Sequence, residues 1–121
     1  MAWLKSFPPS LPIPAPMVHY IALFRVGKGA VDADLEEMIR ASRTCFHRIH
    51  EAHNFRSGRN LDSKAEFAFF LSADFESREK LAMFREDPNF IRFESEVLKR
   101  HTTSRVEHLY ETVPGKDPKY S

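Results

Sequence analysis

The chain has 121 residues, with 18 lysines and arginines against 17 aspartates and glutamates, for a formal net charge of +1. That length suits one domain burying about two thirds of its unfolded surface, so little stability is spare and self-association would help. The balanced charge excludes a nucleic-acid footprint. The single cysteine, Cys45, excludes an internal disulfide and points to a reducing compartment, so a cytoplasmic location is expected.

The first stretch, MAWLKSFPPSLPIPAP, is apolar but carries five prolines. Proline breaks the helical run that a signal segment or membrane span needs, so no membrane partner is expected. With one lysine and no arginine, the stretch also lacks the make-up of an organelle presequence. Residues 1–16 read as an extended arm, partly polyproline II, whose Trp3, Leu4 and Phe7 could dock on an apolar groove; the alternative is a disordered leader. The domain proper is expected over 17–113, and 114–121 reads as a polar tail.

VHYIALFRV, Val18 to Val26, is branched and aromatic, with proline before it and glycine after, which predicts a strand. His19, Ile21, Leu23 and Arg25 share one face, and Tyr20, Ala22 and Phe24 share the other. A helix follows: Leu35, Met38, Ile39, Ser42, Cys45, Phe46 and Ile49 recur at helical spacing, with Asp32 as the expected N-cap. His53 to Leu61 predicts a short strand ending in a Gly-Arg-Asn turn. Lys64 to Asp74 predicts the next, with Phe67, Phe69, Leu71 on one side and Phe70 on the other. Glu76 to Asp87 predicts a helix capped by Ser77, and Pro88 opens the last helix, through His101. Ser104 to Val113 predicts the final strand, with Arg105, Glu107 and Leu109 on one face. Cys45 reads as a small buried residue. His47, His50 and His53 read as a solvated helix end, so no metal and no cofactor are expected.

The order β-α-β-β-α-β is the ferredoxin-like arrangement, an α+β fold with a four-stranded antiparallel sheet and helices on one face. The helices are expected over the Phe69 and Leu71 side. The uncovered side, expected to carry Tyr20, Phe24 and Phe70, would then be a bare apolar face, which predicts a homodimer with sheets packed together. On this reading His19 points inward, toward Glu107 or Arg105.

Three segments carry a resemblance: VHYIALFRV, then SGRNLDSKAEFAFFLSADFESREKLAMFREDPNFIRF, then SRVEHLYE. Their order and spacing resemble the stress-responsive A/B barrel (Dabb) family over about residues 17 to 113. The resemblance implies a dimeric α+β barrel. It also implies two kinds of member: structural or stress-linked proteins, and cofactor-free cyclases acting on linear polyketides. The cyclases place a histidine after the proline of the Asp-Pro step, where this chain has Phe90. They place a tyrosine six residues earlier, where it has Phe84, and a histidine on the third strand, where it has Phe69. Only their first-strand histidine has a match, His19. A phenyl ring has no proton to exchange, so that catalytic scheme is not expected here.

Three functions remain open at this point. The first is a ligand-binding or stress-type protein with an apolar pocket lined by His19, Ile21, Leu23, Phe69, Leu71, Phe84, Phe90 and Phe93, suited to a small apolar or aromatic ligand. The second is a cofactor-independent cyclase or lyase using His19 with Glu107 or Arg105. The third is a structural accessory protein docking a partner through its proline-rich arm.

Overall fold

In the computed structural model, residues 16–113 are described; the expected arm over 1–16, apart from its last residue, and the expected tail over 114–121 lie outside them. Strand β1 (Val18–Val26) leads into α1 (Asp32–His47), β2 (His53–Arg59), β3 (Phe69–Phe75), α2 (Arg78–Glu86) and α3 (Pro88–Phe93). One π-helical turn (Glu94–Leu98) and the short α4 (Lys99–His101) continue α3 into β4 (Thr102–Glu111). The sheet is antiparallel in the order β2-β3-β1-β4, the expected ferredoxin-like layout, and the helices lie on one side.

Local chemistry sets the element ends. The Asp34 carboxylate accepts from the Val31 N–H at 2.9 Å, so the cap of α1 is Val31 and Asp32 is already helical, one residue earlier than expected. The Ser77 hydroxyl caps α2 by accepting from Lys80 N at 3.1 Å. Asp87 Oδ1 accepts from Asn89 N at 2.8 Å, and Pro88 takes the first helical position of α3, where its missing N–H costs nothing. The third strand starts later than the sequence suggests. Asn60 and Asp62 side chains accept from Asp62 N and Lys64 N, both at 2.9 Å, and these local bonds hold a loop where Lys64 was expected to begin β3.

The core is aromatic. Phe84 on α2 is fully buried, and its ring lies 4.2 Å from Phe90, 4.9 Å from Phe75, 5.2 Å from Phe46 and 5.5 Å from Tyr20, centroid to centroid. Leu71, Phe69, Phe93 and Leu98 belong to the same buried cluster. The only buried polar side chains of the described residues, Ser42 and Ser72, include one that bridges layers: Ser42 on α1 meets Ser57 on β2 at 2.9 Å and donates to Ile39 O at 2.8 Å.

Register decides which side of each strand the helices cover. Directly opposed residues in an antiparallel pair project to the same side. Phe24 lies opposite Phe69, Ala22 opposite Leu71, and Tyr20 opposite Ala73. Tyr20, Ala22 and Phe24 therefore share the helix-covered side with Phe69, Leu71 and Phe75, and all are at most 1% exposed. This corrects the expected faces of β1. Tyr20 and Phe24 are not on the open face; of the three residues expected there, only Phe70 is. His19, Ile21 and Leu23 stand on the open face, away from Phe69, Leu71, Phe84, Phe90 and Phe93.

The open face has an apolar centre and polar ends. Ile21 and Leu23 of β1, Phe70 of β3 and Val106 of β4 are half-buried at its middle. At one end Arg25 pairs with Glu66, donates to Ser104 Oγ at 3.1 Å and lies 4.5 Å from the Phe67 ring centroid. At the other end stand His19 and Asp74. Gly58 of β2 lies opposite Phe70, and a Cβ there would meet the Phe70 ring at 3.2 Å.

Candidate functional site

The space expected to form a pocket is filled. Phe69, Leu71, Phe84, Phe90 and Phe93 are each at most 4% exposed and pack on one another or on neighbouring rings. The three positions where the resemblance would place acid–base groups, Phe69, Phe84 and Phe90, are core rings.

An open cleft of about 490 Å³ lies instead where the last helix leaves β4 uncovered. Phe24, Ile91 and Leu98 give it an apolar lining. Glu94, Ser95 and Lys99 rim one side, and Thr102 to Arg105 of β4 rim the other. The π-helical turn supplies Glu94, Ser95 and Leu98. Such turns widen the backbone by one residue and recur at functional sites. Of the residues named from sequence, Phe24 and Arg105 fall here. Glu94, Leu98 and Lys99 read from sequence as ordinary helix positions, because nothing in ESEVLK marks a π turn within a helical pattern.

A polar chain runs from this cleft into the core. Arg105 pairs with Glu94 at the cleft wall and lies 4.0 Å from Glu107. Glu107 also faces Arg85 at 3.4 Å and accepts a hydrogen bond from the Tyr20 hydroxyl. Burial opposes the charge of Arg105, but the bond to Glu94 and the charges of Glu94 and Glu107 outweigh it and raise its pKa. Burial, then the hydrogen bond and charge of Glu107, push the Tyr20 phenol well above the usual range. Tyr20 thus serves as a proton-bearing donor that fixes Glu107.

His19 does not join this chain. Its opposite residue on β4 is Tyr110, whereas Glu107 lies opposite Ala22, on the other side of the sheet. His19 Nδ1 instead lies 2.7 Å from Asp74 Oδ1, and Asn54 Nδ2 donates to Asp74 Oδ2 at 3.0 Å. Burial alone would push the Asp74 carboxyl up. The bonds from His19 and Asn54, with the charges of His19 and Arg56, hold it below the ordinary carboxylate range. Asn54 reaches Asp74 from a bulge between His53 and Arg56, where its φ is 52°, a left-handed conformation that asparagine tolerates. The expected pairing of His19 with Glu107 or Arg105 is therefore replaced by a pairing with Asp74.

Residues 18–111 match the model of the Stress Responsive A/B Barrel Domain, Dabb. Among curated proteins, none matches the chain. A dimeric ferredoxin-like protein of unknown function from Thermobifida fusca superposes with a TM-score of 0.73 at 19% identity, over 85% of this chain and 97% of that one. A Dabb family protein with a ferredoxin-like fold from Mesorhizobium loti gives 0.70 at 13%, over 82% and 99%. A hydroxynitrile lyase from Passiflora edulis gives 0.70 at 16%, over 86% and 100%. At these identities the three establish a shared fold. Among the described residues, no helix is long and apolar enough to cross a membrane.

Proposed function

The chain belongs to the stress-responsive A/B barrel family, and from that premise we propose that it is a homodimer that binds a small apolar or aromatic ligand in the cleft beside β4. The observation that carries the binding role is the cleft itself. Its volume of about 490 Å³ falls in the range of small-molecule sites, which pair an apolar lining with a few polar groups. Phe24, Ile91 and Leu98 would take the apolar body of the ligand. Lys99, Ser95 and Thr103 would take a polar end. Self-association is supported by the open sheet face, where Ile21, Leu23, Phe70 and Val106 make the apolar centre and polar groups the rim, the usual anatomy of an interface.

A thermal-shift and NMR titration with a panel of aromatic alcohols and acids tests the binding role. Saturable shifts at Ser95, Leu98 and Thr103, lost in Leu98→Trp, are expected. No shift across the panel would overturn it.

The enzymatic reading, a cofactor-independent lyase, has one observation in its favour: the Glu94 carboxylate stands at the cleft wall, beside Arg105. It predicts turnover of a panel substrate that Glu94→Gln abolishes while binding persists.

A further inference from the structure

The His19–Asp74 pair stands inside the face on which a second copy is proposed to pack. His19 is one step along β1 from Ile21, about 7 Å, and β1 is a central strand of the sheet. In the single chain the pair is partly wet: the side chains are 34% and 18% exposed. Its surroundings can be named on every side. Asp74 faces it from β3 and Tyr110 from β4, with the His108 ring 6.1 Å from that of Tyr110. From β2, Asn54 donates to Asp74, and Arg56 adds a positive charge to the Asp74 field. His53 is occupied by Glu76 at 3.3 Å just beyond.

We propose that dimer formation through this face is proton-linked, with the His19–Asp74 pair as the sensor, so that the dimer tightens as pH falls from about 8 toward about 5.5, the range in which imidazoles serve as charge switches. The inference rests on the dimer reading above. The physical reason is the net charge each form of the pair carries into a dry interface. With its proton bound, the pair is neutral overall. Without it, a carboxylate beside a neutral imidazole carries a whole negative charge out of water, which is costly. The argument holds for the pair as one unit, whichever atom carries the proton. Two copies bring two pairs, which doubles the linkage. His108 opposes the effect, because its protonation carries an uncompensated charge into the same face.

Sedimentation velocity on the full chain from pH 5.5 to 8, with circular dichroism to confirm the fold, tests this. The dimer Kd is expected to rise at least about tenfold across that range, the effect of one group whose proton binding tightens tenfold on association. His19→Gln should flatten the profile. Asp74→Asn should reverse it, because a protonated His19 then enters the interface alone. His108→Gln should leave the slope in place or steepen it. A flat or opposite wild-type slope, or a slope kept in His19→Gln but lost in His108→Gln, would overturn the proposal. A folded monomer at every pH would overturn the dimer reading itself, and this inference with it.

Discussion

The Tyr20 hydroxyl donates to Glu107 across the β1–β4 pair, on the side of the sheet that the helices cover. One bond links the central strand to the edge strand and places a carboxylate between two arginines, Arg85 and Arg105. Tyr20→Phe keeps the ring and its contacts with Phe75 and Phe84 but leaves Glu107 short of a donor. The expected loss is about 1 kcal/mol in urea unfolding. The pH dependence has a definite sign. A phenol raised by folding contributes stability that is present below the ordinary phenol range, about 10, and is lost above it. Above that pH, wild-type stability should fall more steeply than that of Tyr20→Phe.

Leu23 and Phe24 are neighbours in sequence but stand on opposite faces of the sheet. Leu23→Glu should give a folded monomer by sedimentation and circular dichroism, because the charge lands on the open face. Phe24→Glu should fail to fold, because Phe24 is 1% exposed beneath the helices. The opposite pattern would mean the register of β1 is wrong.

Phe84 sits where β1, β3 and three helices meet. Phe84→Ala is expected to cost about 3–5 kcal/mol, the usual loss for a buried phenylalanine, read from a lower urea midpoint. A loss below about 1 kcal/mol would mean the ring cluster is looser than its centroid distances imply.

Cys45 is buried, and burial, with the charge of Asp87, pushes its thiol up to about 12. Its Sγ donates to Asn89 O at 3.5 Å. A disulfide reagent should modify native protein slowly at neutral pH and denatured protein at once. Rapid modification of the native chain would contradict this placement.

Much of the fold was legible in the chain. β1 begins and ends where its flanking proline and glycine suggest, Ser77 caps α2, and Pro88 opens the next helix. The side that each residue of β1 takes was not legible. Tyr20, Ala22 and Phe24 are as apolar as Ile21 and Leu23, so a period of two marks the strand without ranking its sides. The ranking comes from pairing with β3, and a slip of one residue inverts it. The site was lost for the same reason. Period two alone does not choose the face of His19, so nothing in the sequence couples it to Asp74 near the end of the third strand. Asn54 carried a readable signal, a residue tolerant of left-handed backbone just before an aromatic, but only a bulge gives that signal meaning. The cleft depended on a π turn that no residue type announces.

Gly58 lets the Phe70 ring lie close beside β2: a methyl group there would stand 3.2 Å from the ring edge, so the ring would have to give by a few tenths of an ångström. An alanine there would shift the half-buried Phe70 ring, a disturbance that falls on the open face rather than on the core. Selection at this position would then act on how two surfaces mate, not on whether either one forms. A harmless-looking change in a surface strand could leave a sound subunit without its companion.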